Sequence, residues 1–241
     1  MQTTCITGTG CESMPANNLR NIFEEIGKKY GYETVSAEYS AFKDFKVKWT
    51  RSYKWIDFLV SDYLADAPDE AIRSIAETLF SRINGGEAIP YSEEFCNFAM
   101  SKDFVKTKQP IYIKRSRNIA KTAVGEHYDL NEIYKKVLSM GLVKRDDDII
   151  FSWTKDEGMS SPSYMSTLMK VVVVNRVLDD ENTPEDVMKY VILKELVEME
   201  RGKNNFCKRK GLSDEMADAI INHCGLKQQA EDWLWKNYLQ I

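Results

Sequence analysis

Hydrophobic and polar positions follow two different rhythms in the first part of the chain. Apolar residues three or four positions apart over 19–29 predict a helix, which Gly31 ends. Over 45–51 apolar residues instead alternate with lysines, which is the pattern of a half-buried antiparallel strand. Extended runs at 32–39 and 55–60 flank it. Together these runs predict an antiparallel β-meander.

Further along the chain, apolar stripes predict mostly helices. Asp129, followed three residues later by Glu132, is a capping-box start for one of them. The turn-rich segment 158–163 connects two predicted strands. The pattern as a whole predicts an α+β fold, in which helices pack on an antiparallel sheet. The later helices are expected at 68–83, 129–140, 184–201, 213–223 and 226–238, and the later strands at 149–154 and 169–175.

Length and composition are those of an ordinary globular protein. The 241 residues, 43% hydrophobic and 29% charged, suffice for one large domain or two small ones. We expect a flexible tail at 1–14, then a part at 15–105 that holds the first helix, the meander and the long helix. The remaining elements form a part at 106–241. The last two parts are also compatible with one continuous domain.

Two features bear on the cellular environment. No apolar run reaches the roughly 20 residues that a membrane helix needs, and residues 1–14 lack the basic region and apolar core of a secretory signal. The five cysteines, at 5, 11, 96, 207 and 224, are odd in number and lack C-x-x-C spacing. We therefore expect a cytoplasmic protein with reduced thiols and no membrane partner.

The predicted helix 184–201 contains the segment Lys194-Glu195-Leu196-Val197-Glu198. In the zinc-peptidase motif H-E-x-x-H, two histidines four residues apart bind the metal from one helix face, and the glutamate activates the zinc-bound water. Here Lys194 and Glu198 stand at the histidine positions, and Glu195 stands at the position of the general base. The segment resembles a metal-binding helix that has lost its histidine ligands.

The neighbouring segments resemble, in the same order, those of small zincin metallopeptidases, specifically the SprT-like and minigluzincin-like group. The resemblance covers roughly the last three quarters of the chain. It implies a zincin-like fold in which helix 184–201 lies under a cleft edge strand at 169–175. The matching segments are 61–68, the Gly125-Glu126-His127-Tyr128-Asp129-Leu130 helix start, 150–153, 172–175 with the turn at Leu178-Asp179, 184–202 and 230–234.

The same resemblance implies a third metal ligand after this helix, where only Asp214 or Glu215 is available. His127 and His223 are expected to have capping or packing roles. A lysine ammonium in the first ligand shell opposes cation binding. The sequence therefore predicts no zinc and no other cofactor, and it leaves Glu195 as a vestigial general base.

The three charged residues of the motif lie on a helix that is apolar nearly all round. Val187 and Val191 fall in the same arc as Lys194, Glu195 and Glu198. A helix of this kind is buried, so the charges are expected to face a cleft or each other. We expect Lys194 to fill the vacated metal position and to pair with Glu198, four residues on, and with Glu195.

Two stretches are rich in cations. The run 106–121 holds six and no acid, with Lys114, Arg115 and Arg117 at its centre. The run 201–210 holds five more around Phe206. Aromatic residues among cations suit single-stranded nucleic acid or an acidic partner. However, the net charge of -4 argues against a dedicated nucleic-acid binder.

The leading hypothesis is a catalytically inactive metallopeptidase-like protein, a pseudopeptidase, that acts as a binding or scaffold protein for a protein or peptide partner. One alternative is an active metal-dependent peptidase with a carboxylate site formed by Glu195, Glu198 and either Asp214 or Glu215. The other is a nucleic-acid-associated SprT-like module that binds through the basic stretches.

Overall fold

The computed structural model describes residues 18–87, 89–156, 160–208 and 210–238. The chain divides into two compact units, which we call unit 1 (Met1–Ile89) and unit 2 (Pro90–Ile241). Both units combine helices and strands, which confirms the α+β class. The expected tail at 1–14 lies outside the described residues. None of the described helices is long and apolar enough to cross a membrane.

The division falls at 89/90, whereas the sequence analysis places it at 105/106. The reason lies in two helices of unit 2 that the pattern does not predict, α3 (Glu93–Ala99) and α4 (Lys102–Arg115). On α4, the side-chain amide of Gln109 donates to the carbonyl oxygens of Asp148 (2.9 Å) and Met169 (2.7 Å). The pattern obscures α4 because a proline, Pro110, lies inside it.

Unit 1 packs two helices with a three-stranded sheet. α1 (Leu19–Lys29) packs on both β1 (Thr34–Ser40) and α2 (Asp69–Ile83). The sheet has the order β1-β3-β2, with β2 at Val47–Arg51 and β3 at Trp55–Ser61. β1 and β3 are parallel, while β2 and β3 are antiparallel. The predicted meander is therefore wrong, although its helix and strands are in place.

Burial explains why β3 takes the central position in this sheet. The inner face of β3 is fully buried, since Ile56, Phe58 and Val60 are at most 1% exposed. A strand with so much buried apolar surface is best placed between two other strands. β2 is mostly exposed, and Trp49 on it is 48% exposed. The alternation over 45–51 thus marks an exposed edge strand rather than a half-buried one.

Unit 2 has a second three-stranded sheet, of order β4-β6-β5. β4 and β6 are parallel, and β5 and β6 are antiparallel. The strands are β4 (Ile150–Trp153), β5 (Ser163–Ser166) and β6 (Val171–Val174), and the remaining helices are α5 (Leu130–Ser139), α6 (Glu185–Phe206), α7 (Asp214–His223) and α8 (Lys227–Asn237). The antiparallel sheet of the predicted fold is wrong for both units, since each sheet contains one parallel pair.

The strand predicted at the cleft edge, 169–175, is instead the central strand β6. Its four valines are at most 1% exposed, which suits a strand with a partner on each side and cover on both faces. The edge strands are β4 and β5, and β5 begins at the last residue of the segment predicted to be a turn-rich connection. β5 escapes the sequence pattern because it is short and half polar, with Ser163 and Ser166 at its ends.

Helix α6 lies at the centre of unit 2. It packs against α5, α7 and α8 and against β5 and β6. Its buried residues are apolar on nearly every side, as the sequence predicts, and it continues to Phe206. The predicted end at 201 is five residues short, because the segment after Arg201 is polar and carries no apolar stripe.

A disulfide joins Cys96 on α3 to Cys207 at the end of α6, across 111 residues of sequence. The expectation of reduced thiols is therefore wrong for this pair. Sequence spacing gives no sign of it, because the two cysteines meet only when α3 packs beside the end of α6, where the rings of Phe95 and Phe206 are 5.3 Å apart. Cys224 is a free thiol. Cys5 and Cys11 lie outside the described residues.

Asp179 organises the loop that leads into α5. Its carboxylate accepts hydrogen bonds from the backbone N–H groups of Glu126 (2.6 Å), His127 (2.9 Å) and Tyr128 (3.0 Å). Gly125 makes room for it, since a Cβ there would lie 2.2 Å from a carboxylate oxygen. Two segments that the sequence analysis singles out separately thus form one loop-and-carboxylate unit, which we call the Asp179 loop.

Candidate binding cleft around Glu195

A cleft of about 430 Å³ opens beside α6 in unit 2. We call it the Glu195 cleft. Three segments build it: α6 contributes Lys194 and Glu195, α8 contributes Glu231 and Trp235, and the chain entering β5 contributes Ser163. The cleft therefore includes the glutamate at the general-base position of the motif.

Helical spacing explains how α6 presents these groups. Val191, Lys194 and Glu195 are spaced three and four residues apart, so they share one helix face, and all three line the cleft. The neighbouring side chains Ile192, Leu193 and Leu196 are buried in the core. The part of the predicted arc that holds these three residues thus faces the cleft, whereas Val187 and Glu198 of the same arc do not line it.

Glu195 is the most buried carboxyl of the cleft. The hydroxyl of Ser163 donates to its Oε1 at 2.6 Å. Burial raises the pKa of Glu195 above its ordinary value; the Ser163 hydrogen bond and the positive charge of Lys194 oppose the rise, and the negative charge of Glu198 adds to it. The Glu195 carboxyl therefore loses its proton at a higher pH than an exposed glutamate does.

The predicted pair of Lys194 and Glu198 is wrong. Lys194 is exposed and makes no ion pair within the described chain. Glu198 pairs with Arg201, with an Oε1 to Nη1 distance of 3.1 Å. An acid followed by a base one turn later is favoured on a helix, whereas a lysine before its glutamate is the weaker order. The guanidinium also offers several donors, so it holds further acids.

Arg201 links the motif helix to the start of α7. Besides Glu198, its guanidinium contacts Asp218, and its Nε lies 3.5 Å from an oxygen of Asp214. Burial alone would lower the pKa of Arg201, but the hydrogen bond from Arg201 to Asp218 and the charges of Glu198, Asp218 and Asp214 raise it. Of the candidate third-ligand positions, Asp214 therefore belongs to this ion-pair network.

The other candidate third ligand, Glu215, lies exposed in the first turn of α7. Hydrogen bonds from its own backbone N–H and from Ser213 hold the pKa of Glu215 below its ordinary value. It therefore acts as part of the helix start. Neither Asp214 nor Glu215 lines the Glu195 cleft.

The residues at the motif positions do not fit the zinc ion that the resemblance implies. An ammonium group stands at the first ligand position, and a guanidinium lies between Glu198 and Asp214. Both cations oppose a metal ion at that point. Over the described ranges, no three His, Cys, Asp or Glu side chains are grouped so that they could hold a metal.

The opposite wall of the cleft, which the sequence analysis misses, is a face of α8. Gln228, Glu231, Asp232 and Trp235 follow one another at helical spacing and all line the cleft. The sequence gives the apolar residues of this helix but not the direction of its polar face. Trp235 is 62% exposed, an unusual position for a large aromatic side chain.

Two tyrosines hold this wall in place. The hydroxyl of Tyr190 donates to Oε1 of Glu231 at 2.5 Å. Burial and the neighbouring carboxylate raise the pKa of Tyr190, so it remains a donor. After α8, the hydroxyl of Tyr238 donates to the carbonyl of Ser161 (2.8 Å) and accepts from the amide of Asn175 (2.5 Å). The end of unit 2 is thereby bonded to the chain that enters β5.

The predicted basic patch lies at the end of α4. Lys114 and Arg115 occupy its last turn and Arg117 follows it; Lys114 and Arg117 are exposed, and Arg115 is half-buried. None of the three lines the Glu195 cleft. The run 106–121 is helical as far as Arg115, and Lys108 in its helical part is only 9% exposed.

Replacing Glu195 by glutamine is expected to stabilise the protein at neutral pH. Because the folded state raises the pKa of this carboxyl above 4.5, its protonated form favours folding at low pH, and this advantage is lost as the pH rises through the folded pKa. Glutamine stays neutral and still accepts from Ser163. Urea unfolding across a pH series should show the variant's advantage growing with pH.

The exposed Glu181→Gln serves as the control, since it lies outside the cleft. It should leave the pH dependence of unfolding unchanged. A Glu195→Gln variant that is less stable than the parent at every pH would contradict the buried carboxyl described above.

No protein-family model, curated protein or solved structure matches this chain. A relationship to zinc metallopeptidases is therefore a proposal, which rests on the residues and the geometry of unit 2.

Proposed function

We propose that unit 2 is a pseudopeptidase with a zincin-like fold, which binds a peptide or protein segment in the Glu195 cleft without cleaving it. The observation that carries the proposal is the divergence of the motif helix. Glu195 keeps a cleft position on the central helix, but Lys194 stands exposed at one ligand position and Glu198 pairs with Arg201 at the other. The two ligand positions therefore hold residues other than histidine, while the cleft beside Glu195 is present.

The shape of the cleft supports a peptide segment as the occupant. Its volume of about 430 Å³ lies near the lower end of the roughly 300 to 1,000 Å³ of ligand pockets, which fits a few side chains. Ser163, at the start of the edge strand β5, lines it. An extended segment that runs along such an edge places alternate side chains into adjoining pockets.

The active-peptidase alternative requires Glu195, Glu198 and Asp214 or Glu215 to hold a metal together. Arg201 competes for two of these carboxylates, Glu198 and Asp214. The nucleic-acid alternative has no support from the cleft, whose lining carries more acids than bases. The active peptidase is therefore an outcome of the zinc test below, and neither alternative has the standing of the proposal.

A cytoplasmic location belongs to the proposal, but one observation speaks against it. Disulfides persist mainly in oxidising compartments, and unit 2 contains the Cys96–Cys207 bond. Mass spectrometry of protein alkylated inside the source cells would show whether this pair is oxidised there. If the pair is oxidised in those cells, the proposed location would change from the cytoplasm to an oxidising compartment.

Protein purified without a histidine tag is expected to contain far less than stoichiometric zinc, because Lys194 and Arg201 place positive charge at the motif. Elemental analysis by mass spectrometry after dialysis measures this directly. Zinc near one equivalent that is held at the motif helix would overturn the pseudopeptidase and favour the active alternative.

Two variants on the same helix identify the site if zinc is found. Glu198→Gln would release a metal held at the motif, whereas Glu200→Gln, which changes a carboxylate paired with Lys203, would retain it. Zinc that is insensitive to both substitutions would lie elsewhere in the chain and would leave the proposal standing.

A further inference from the structure

We infer that the Glu195 cleft selects a positively charged side chain, arginine above all, from the segment it binds. This inference rests on the proposed function, because it names the chemistry of the ligand for the same cleft. Its basis is the arrangement of acids and one exposed aromatic ring on the α8 wall.

The charges that line the cleft are unbalanced. Glu195, Glu231 and Asp232 supply three carboxyl groups, and Lys194 supplies one ammonium group. Even when Glu195 holds its proton, two exposed carboxylates face one lysine. Clefts lined by one sign of charge attract ligands of the opposite sign. The cleft therefore favours a cation over an anion or a neutral group.

Glu231 is prepared to receive such a cation. The Tyr190 hydroxyl occupies its Oε1 and holds the carboxylate at the wall of the cleft. In the described chain, Glu231 makes no ion pair with any lysine or arginine, although Lys194 lines the same cleft. A carboxylate that is held in place by a neutral donor and has no cationic partner in the described chain is suited to a charge-assisted bond with a ligand.

Trp235 adds a second contact of the right kind. It lies four residues after Glu231, so both project from one face of α8 into the cleft. Tryptophan is the best aromatic partner for a cation over its ring, and a guanidinium both stacks on the ring and donates to a carboxylate. The pair of Glu231 and Trp235 therefore favours arginine over lysine.

Lys194 limits what else the ligand can carry. It is exposed on the opposite wall, on α6, and its ammonium can donate to a carboxylate or a carbonyl oxygen of the bound segment. A segment can therefore contact both walls when it carries an arginine for the α8 wall and, close by, a carboxylate or a backbone carbonyl oxygen for Lys194. A polyanion such as nucleic acid satisfies only Lys194 and is repelled by the other charges.

Retention on the immobilised full-length protein tests the inference. The probes are two pools of short acetylated and amidated peptides, randomised except for a central arginine in one and a central citrulline in the other. Citrulline keeps the shape and removes the charge. We expect about tenfold or greater retention of the arginine pool, which corresponds to one charge-assisted contact, and a decrease when salt is raised.

Variants then assign the selectivity to the cleft. Glu231→Gln keeps an acceptor for Tyr190 and removes the charge, so it should abolish the preference for arginine. Trp235→Leu should reduce it. Glu132→Gln, an exposed carboxylate on α5, is the matched control and should retain the preference. Near-ultraviolet circular dichroism confirms that each variant is folded.

The outcomes separate this inference from the proposed function. Equal retention of both pools, lost when Tyr190 or Val191 in the cleft is replaced by alanine, would overturn the selectivity and leave a peptide-binding cleft. No retention of either pool would overturn both. An arginine preference that survives Glu231→Gln and Trp235→Leu would place the cation elsewhere and would also overturn the inference.

Discussion

Replacing Cys96 by serine should lower the free energy of unfolding of unit 2 by about 2 to 5 kcal/mol. The disulfide joins residues 111 apart in sequence. A cross-link over so long a loop removes much conformational freedom from the unfolded chain, and the chain-entropy model gives about 4.7 kcal/mol for a 100-residue loop. Urea unfolding under non-reducing conditions measures the change.

The cysteines themselves provide the controls. Cys207→Ser should give the same loss as Cys96→Ser, and the double variant should lose no more than either single variant. Dithiothreitol should bring the parent to the stability of the variants. Cys224→Ser, which changes the free thiol of unit 2, should have little effect. Additive losses from Cys96→Ser and Cys207→Ser would mean that the two side chains act separately and are not bonded.

Asp179→Ala should destabilise unit 2 by about 2 to 4 kcal/mol, since hydrogen bonds to a charged group contribute roughly 1.5 to 3 kcal/mol each and water replaces part of the loss. Its carboxylate accepts from three consecutive backbone N–H groups, those of residues 126–128. Chemical denaturation measures the total. Hydrogen exchange should also show these amides opening in the variant.

The neighbouring residue is a matched control. Asp180→Ala removes an exposed carboxylate whose hydrogen bonds within the described ranges come from Asn182, so its effect should stay below about 1 kcal/mol. Gly125→Ala would place a Cβ 2.2 Å from the Asp179 carboxylate and should mimic Asp179→Ala. Combining the two substitutions should cost less than their sum. Equal effects of Asp179→Ala and Asp180→Ala would refute this role for the Asp179 loop.

The sequence predicts those parts of the fold that depend on local pattern. Helix α1 matches its apolar spacing from end to end, and Asp129 caps α5 as predicted, although its side chain accepts from the backbone N–H of Asn131 and not from that of Glu132, as a capping box would require. α6 begins after Pro184 as expected. In each case the signal comes from residues a few positions apart, which is the range over which helical periodicity and capping act.

The order of the strands could not be predicted in this way, because it depends on which strand has the most apolar surface to bury. β3 and β6 take the central positions since their apolar faces must be buried. Each forms a parallel pair, β3 with β1 and β6 with β4, with a strand that is not its neighbour in sequence. β5 is too short and too polar to show alternation. The disulfide of Cys96 likewise depends on a contact between distant helices.

The candidate site shows the same division. Periodicity places Val191, Lys194 and Glu195 on one face of a buried helix, and that face does line a cleft. The partners of the charged groups were not accessible to the same reasoning. Glu198 turns to Arg201, and the wall that carries Glu231 comes from a helix whose position is set by tertiary packing. Spacing gives direction within a helix but not across helices.

The α8 wall, which Tyr238 bonds to Ser161 and Asn175, is synthesised after the sheet and α6. A chain emerges from the ribosome with its N-terminal end first. The sheet and α6 are complete in the nascent chain before α8 exists, so the Glu195 cleft has only one wall until residues 228–238 have emerged. A product of premature termination would therefore keep the motif helix and lack the surface that we propose receives the ligand.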